Sequence, residues 1–98
     1  MKQSLLAYYQ AIEDSSQKML DAAKAEDWER VVQFEGTCAI LIEQLRLKAR
    51  TQELEPQQRN EKSRIMLRIL NNDAQIRYLA EPWLAHFEQL YAQPVLLH

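Results

Sequence analysis

Glycine is nearly absent from this sequence, with one residue in 98, and proline occurs only three times. That scarcity argues against a loop-rich or disordered chain, and a content of 47% hydrophobic and 27% charged residues suits packed helices. Cysteine occurs once, at Cys38, so no disulfide can close within one chain and a reducing cytoplasm fits. Long apolar runs are missing as well. Leu5-Leu6-Ala7-Tyr8-Tyr9 is too short for a signal peptide and is broken by Gln10, and nothing approaches the ~20 apolar residues of a membrane span. There is no strong excess of one charge either. The formal net charge is -2, and the basic face of a nucleic-acid binder is not evident. Arg59, Lys62, Arg64 and Arg68 form a small basic patch that reads as a solvated helix face. These absences predict one soluble cytoplasmic domain over residues 1–98, with no nucleic-acid or membrane partner.

Residues for chemistry are also lacking. His86, His98 and Cys38 show no metal-ligand spacing, so neither a metal site nor a cofactor is expected. No glycine-rich phosphate loop and no glycine-flanked serine occurs. Glu26 and Asp27 are sequential neighbours at a helix boundary and read as capping residues. Cys38 lies on an apolar helical stripe without a candidate base nearby, which suits a core thiol rather than a nucleophile. No catalytic residue is expected, and the chain does not read as an enzyme.

What the sequence does contain is helical periodicity. A first helix is predicted over 4–25, capped by Ser4, with Leu5, Tyr9, Ile12, Ser16, Met19 and Ala23 on one face, widened by Leu6 and Leu20. Ser15 and Ser16 weaken its middle and suggest close packing or a partly polar seam. A second helix over 28–50 follows an Asp27 cap. Its stripe is Val31, Glu35, Cys38, Ile42 and Leu45, and Val32, Phe34, Ala39, Leu41 and Leu47 make the rest unusually apolar. The short connection between these helices predicts antiparallel packing. A third helix over 56–91 starts at Pro56 and carries Ile65, Ile69, Ile76, Trp83, Phe87 and Leu90. Pro82 predicts a kink, and Pro94 ends the helical signal. The fold class expected is all-α: an antiparallel three-helix bundle with a long third helix kinked near Pro82 and a fourth helix short or absent.

The third helix offers more apolar surface than its own bundle needs. Beside the core stripe runs a second line of Met66, Leu70, Asp73, Arg77 and Leu84, which reads as a partner-binding surface. The excess length beyond the shorter helices carries Trp83, Leu84, Phe87, Leu90 and Tyr91, an overhang suited to a partner or to a homodimer contact. Three polar features sit on apolar seams. Asn72 lies between Ile69 and Ile76 and suits a register-fixing hydrogen bond. Asp73 and Arg77, four apart, can pair. Glu35 falls on the core stripe of helix two, and burial would demand a nearby donor.

Asp27-Trp28-Glu29-Arg30-Val31-Val32-Gln33-Phe34-Glu35 resembles the start of the second helix of the FliT family of flagellar type III export chaperones. Leu70-Asn71-Asn72-Asp73-Ala74-Gln75-Ile76-Arg77 and Leu79-Ala80-Glu81-Pro82-Trp83-Leu84 are similar to the third helix of that family. The resemblance implies a small cytoplasmic helical bundle that binds the C-terminal part of the filament-cap protein and keeps it soluble. It also implies delivery of that client to the export ATPase complex. In some bacteria such proteins also bind the flagellar master transcription activator and lower its activity. Carried over by position, the implied binding surface includes Met66, Leu70 and Arg77. Two departures stand out: Cys38 lies where many members have arginine, and only Gln93 to His98 remains after the third helix, where some members carry a fourth helix as a lid.

Overall fold

The computed structural model describes the backbone of residues 4–96 and the side chains of residues 4–82. Three helices account for it: α1 (Leu5–Lys24), α2 (Trp28–Ala49) and α3 (Pro56–Leu96). Each begins as local chemistry dictates. The Ser4 hydroxyl accepts from the Ala7 N–H at 3.2 Å, and the Asp27 carboxylate accepts from the Arg30 N–H at 3.2 Å. Pro56 opens α3, and the Gln58 side chain reaches back to accept from the Glu55 N–H at 3.0 Å.

The turn between α1 and α2 is a Schellman ending. The Glu26 N–H donates to the Ala23 carbonyl at 3.0 Å, and the Asp27 N–H donates to the Ala22 carbonyl at 2.9 Å. Glu26 adopts a φ of 58°, a left-handed conformation more often given to glycine. This tight reversal sets α2 antiparallel to α1.

The pairing of α1 with α3 follows from three contacts in ascending order. Lys62 lies 5.6 Å from the centre of the Tyr9 ring, Arg68 bonds Glu13, and Asn72 Nδ2 donates to Ser16 Oγ at 3.2 Å. The order rises on both helices, so α1 and α3 run parallel and the bundle is up-down-up. α1 is the middle element, in contact with both others. The Cα atoms of α2 and α3 come nowhere within 8 Å of each other among the described residues.

Because α1 has two neighbours, it buries a wide band: Leu5, Tyr8, Ile12, Ser15, Ser16, Leu20, Ala22 and Ala23. Tyr8 is more deeply buried than Tyr9, a shift of the expected stripe that the second neighbour explains. Ser15 and Ser16 are both buried, and the small side chains let the flanking helices approach closely. From α3, Ile65 is wholly buried and Asn72 and Ile76 are nearly so. Val31 and Ile76 meet in one cluster with Leu20, Ala22 and Ala23, against which Trp28, Phe34 and Leu79 pack.

Several expectations need correction. Glu35 and Ile42 are exposed rather than buried on a core stripe. The face that α2 turns to α1 is centred nearer Phe34, Cys38, Leu41 and Leu45, which are half-buried. An all-round apolar helix does not announce its inner face, so periodicity chose one that is rotated. Glu35 is therefore solvated and needs no compensating donor. Pro94 does not end α3, which continues to Leu96. A proline removes one backbone hydrogen bond, and so near a terminus the loss is small. As expected of one long third helix, α3 passes Pro82 without a break. No fourth helix occurs among the described residues. The basic patch is only partly a solvated face, since Arg68 joins α3 to α1 through Glu13 and also approaches Glu61 at 3.8 Å.

Candidate functional site: a cleft between α2 and α3

Two helices that flank a third with their backbones held apart leave a trough over it. Here the trough has a volume of about 560 Å³. Ile12, Ser16 and Met19 of α1 form its floor; Glu35, Cys38, Ala39 and Ile42 form the α2 wall; and Ile69, Leu70, Asp73, Ile76 and Arg77 form the α3 wall. A second section of about 420 Å³ shares Val31, Glu35, Ile76 and Arg77 and extends past Trp28, Val32 and Ala80. The two sections make one continuous cleft along the bundle. Its surface is mostly apolar, and it contains unspent hydrophobic area, with Leu70 at 58%, Val32 at 65% and Ile42 at 41% exposure. Such a patch is more than scattered surface leucines would give.

A larger recess of about 680 Å³ lies on the other side of the α1–α3 seam. It is lined chiefly by Gln10, Glu13, Asp14, Gln17, Arg68, Asn71 and Gln75. Arg68 and Glu13 already bond each other there, and stripping water from polar side chains is costly, so covering that surface yields little. The α2–α3 cleft is the better binding surface on physical grounds, despite its smaller volume.

The sequence-predicted partner residues fall as follows. Leu70, Asp73 and Arg77 share one wall of the cleft. Met66 lies one turn before Leu70 on the same side of α3, 37% exposed, beyond the lining of the cleft itself. Leu84 and the overhang residues Trp83, Phe87, Leu90 and Tyr91 lie outside the described side chains. The backbone of α3 does run on from Leu79, which packs on the core, to Leu96, a further ~25 Å.

The α2 wall and the α1 floor were missed in sequence. The available signal was the unusual apolarity of α2 on every side. A helix packed against one neighbour needs one apolar face, and the remainder must serve another surface.

The polar groups of the cleft are few and asymmetric. Arg77 Nη2 lies 3.0 Å from Asp73 Oδ2, so these two neutralise each other along α3. Opposite them, Glu35 stands with no lysine or arginine in ion-pair range among the described residues. Cys38 is half-buried beside it. Burial pushes the Cys38 thiol up from its ordinary range, a hydrogen bond with Ser15 opposes this, and the negative charge of Glu35 adds to the rise. The thiol therefore stays protonated at neutral pH, which disfavours nucleophilic chemistry. Among the described residues no group of three or more His, Cys, Asp or Glu could hold a metal ion. No helix among them is long and apolar enough to cross a membrane.

The fold and cleft thus define a small all-α protein with an open groove walled by two helices. The sequence matches the family model for flagellar protein FliT over residues 6–94. The crystal structure of flagellar protein FliT from Bordetella bronchiseptica is similar at a TM-score of 0.75 and 37% identity, covering 89% of this chain and 99% of that one. No curated protein matches with significance. The chain belongs to the FliT family of flagellar proteins. That is a chaperone and regulatory family, not one of enzymes.

Proposed function

We propose that this chain is a cytoplasmic flagellar export chaperone. It seats the C-terminal helical part of the filament-cap protein in the α2–α3 cleft, keeps it soluble, and hands it to the export ATPase complex. The observation that carries this reading is the exposed Leu70, on one wall with Asp73 and Arg77, with Ala39 and Ile42 on the opposite wall. An amphipathic helix buries anchors spaced three and four apart in such a groove. Each Å² of apolar surface removed from water contributes about 25 cal/mol before ordering costs are subtracted. Micromolar or tighter affinity then requires no catalytic group.

Leu70→Glu places a charge in the apolar wall without disturbing the core. Client binding, followed by titration calorimetry with the C-terminal segment of the filament-cap protein, is expected to be lost while the far-UV helical signal is retained. Binding that survives the change, or a collapse of the fold, would remove the cleft from consideration. Co-purification with the cap protein and not with the flagellar transcription activator separates chaperoning from anti-activation. Met66 and Arg77 extend the same surface in this reading, and Leu84 continues it in sequence.

A further inference from the structure

The carboxylates and cations lining the cleft do not balance. Glu29, Glu35 and Asp73 face one guanidinium, Arg77, and Arg77 is already engaged by Asp73. Glu35 is the member that matters, because it lines both sections and sits among Val31, Ala39, Ile42 and Ile76. While the cleft is open, water solvates this carboxylate. An apolar helix laid over it would strip that water away, and an unpaired charge buried at an interface is strongly disfavoured. Anchors alone therefore do not make a good occupant.

We infer that the occupant of the cleft is an amphipathic helix that directs a lysine or arginine at Glu35 from among its apolar anchors. Glu35 is then a specificity residue. It rewards a helix with a cation in that register and rejects one without it, which is selection by a penalty as much as by a contact. Asp73–Arg77 plays no such part, since its charges already cancel. The inference rests on the chaperone reading and names the chemistry of the client.

The test uses the full chain and the C-terminal segment of the filament-cap protein as probe, with affinity measured by calorimetry at low and high salt. Glu35→Gln keeps the side-chain volume at an exposed position, and circular dichroism checks that the fold is unchanged. The expected result is a loss of at least about tenfold in affinity, together with a flattened salt dependence. Glu35→Lys is expected to weaken binding further, and reversal of one basic residue of the client to glutamate is expected to restore it. A lost affinity without rescue by any client reversal would overturn the inference. So would Glu35→Gln binding within about twofold of the unaltered chain at both salts, while leaving the chaperone reading in place. Failure of the unaltered chain to bind the segment would overturn both. Concentration-dependent self-association abolished by Glu35→Lys would assign the cleft to a second copy and overturn the inference as well.

Discussion

α3 meets α1 along a sealed seam and faces α2 across an open trough, and the two sides of this one helix are built from different material. On the sealed side lie Ile65, with no exposed surface, and Asn72, whose amide bonds the buried Ser16 hydroxyl. On the open side lie Leu70 and the surface pair Asp73–Arg77. The residues are interleaved in sequence: Leu70 precedes Asn72 by two positions, and Asp73 follows it by one. The difference teaches that an apolar residue on a helix is not by itself a core residue. Whether it is sealed depends on a neighbour arriving, and α2 leaves Leu70 uncovered.

The contrast can be broken most directly at Ile65. Ile65→Ala leaves a cavity where no solvent reaches, and a loss of ~2–5 kcal/mol in unfolding free energy is expected by urea denaturation. A loss under ~1 kcal/mol would mean that the α1–α3 seam is not sealed. Asn72→Ala comes next. It strands the Ser16 hydroxyl in a buried site and should cost ~1–3 kcal/mol, and Ser16→Ala in the same background should recover part of that loss. Full additivity of the two changes would show that the hydrogen bond is not a unit. The smallest expected effect has the opposite sign and sharpens the comparison from the α2 side. A Cβ at Gly36 meets nothing within 4 Å, so Gly36→Ala should stabilise by up to ~1 kcal/mol through helix propensity alone. Destabilisation there would show that the exposed back of α2 is covered in solution.

Much of this architecture was legible in the sequence. Ser4, Asp27 and Pro56 mark the helix starts because caps are local chemistry, decided within a few residues. Asn72 stood out as polar on an apolar stripe, and it bonds across a seam as that position suggests. Asp73 and Arg77 pair because they are four apart on one helix. What stayed hidden was the orientation of α2. Val32, Ile40, Ile42 and Leu47 are all more than 40% exposed, and a helix apolar on every side gives periodicity no preferred direction. Glu35 was therefore assigned to the core and instead lies exposed on the cleft wall. The floor of the cleft was hidden for a related reason. Ile12 and Ser16 are buried and Met19 is half-buried, so their pattern reads as ordinary core and does not mark them as the floor of an opening. The Arg68–Glu13 tie, between residues 55 apart, is beyond any local pattern.

The wide separation of the α2 and α3 backbones has a mechanical corollary. The breadth of the opening is set by a single packing surface, that between the first two helices, together with the strap of residues 50–55. A slight roll of the second helix on the first would widen or narrow the mouth and leave the parallel pair undisturbed. Under the proposed chaperone reading, guests of different girth would be gripped by adjusting one joint, while the rest of the molecule keeps its shape.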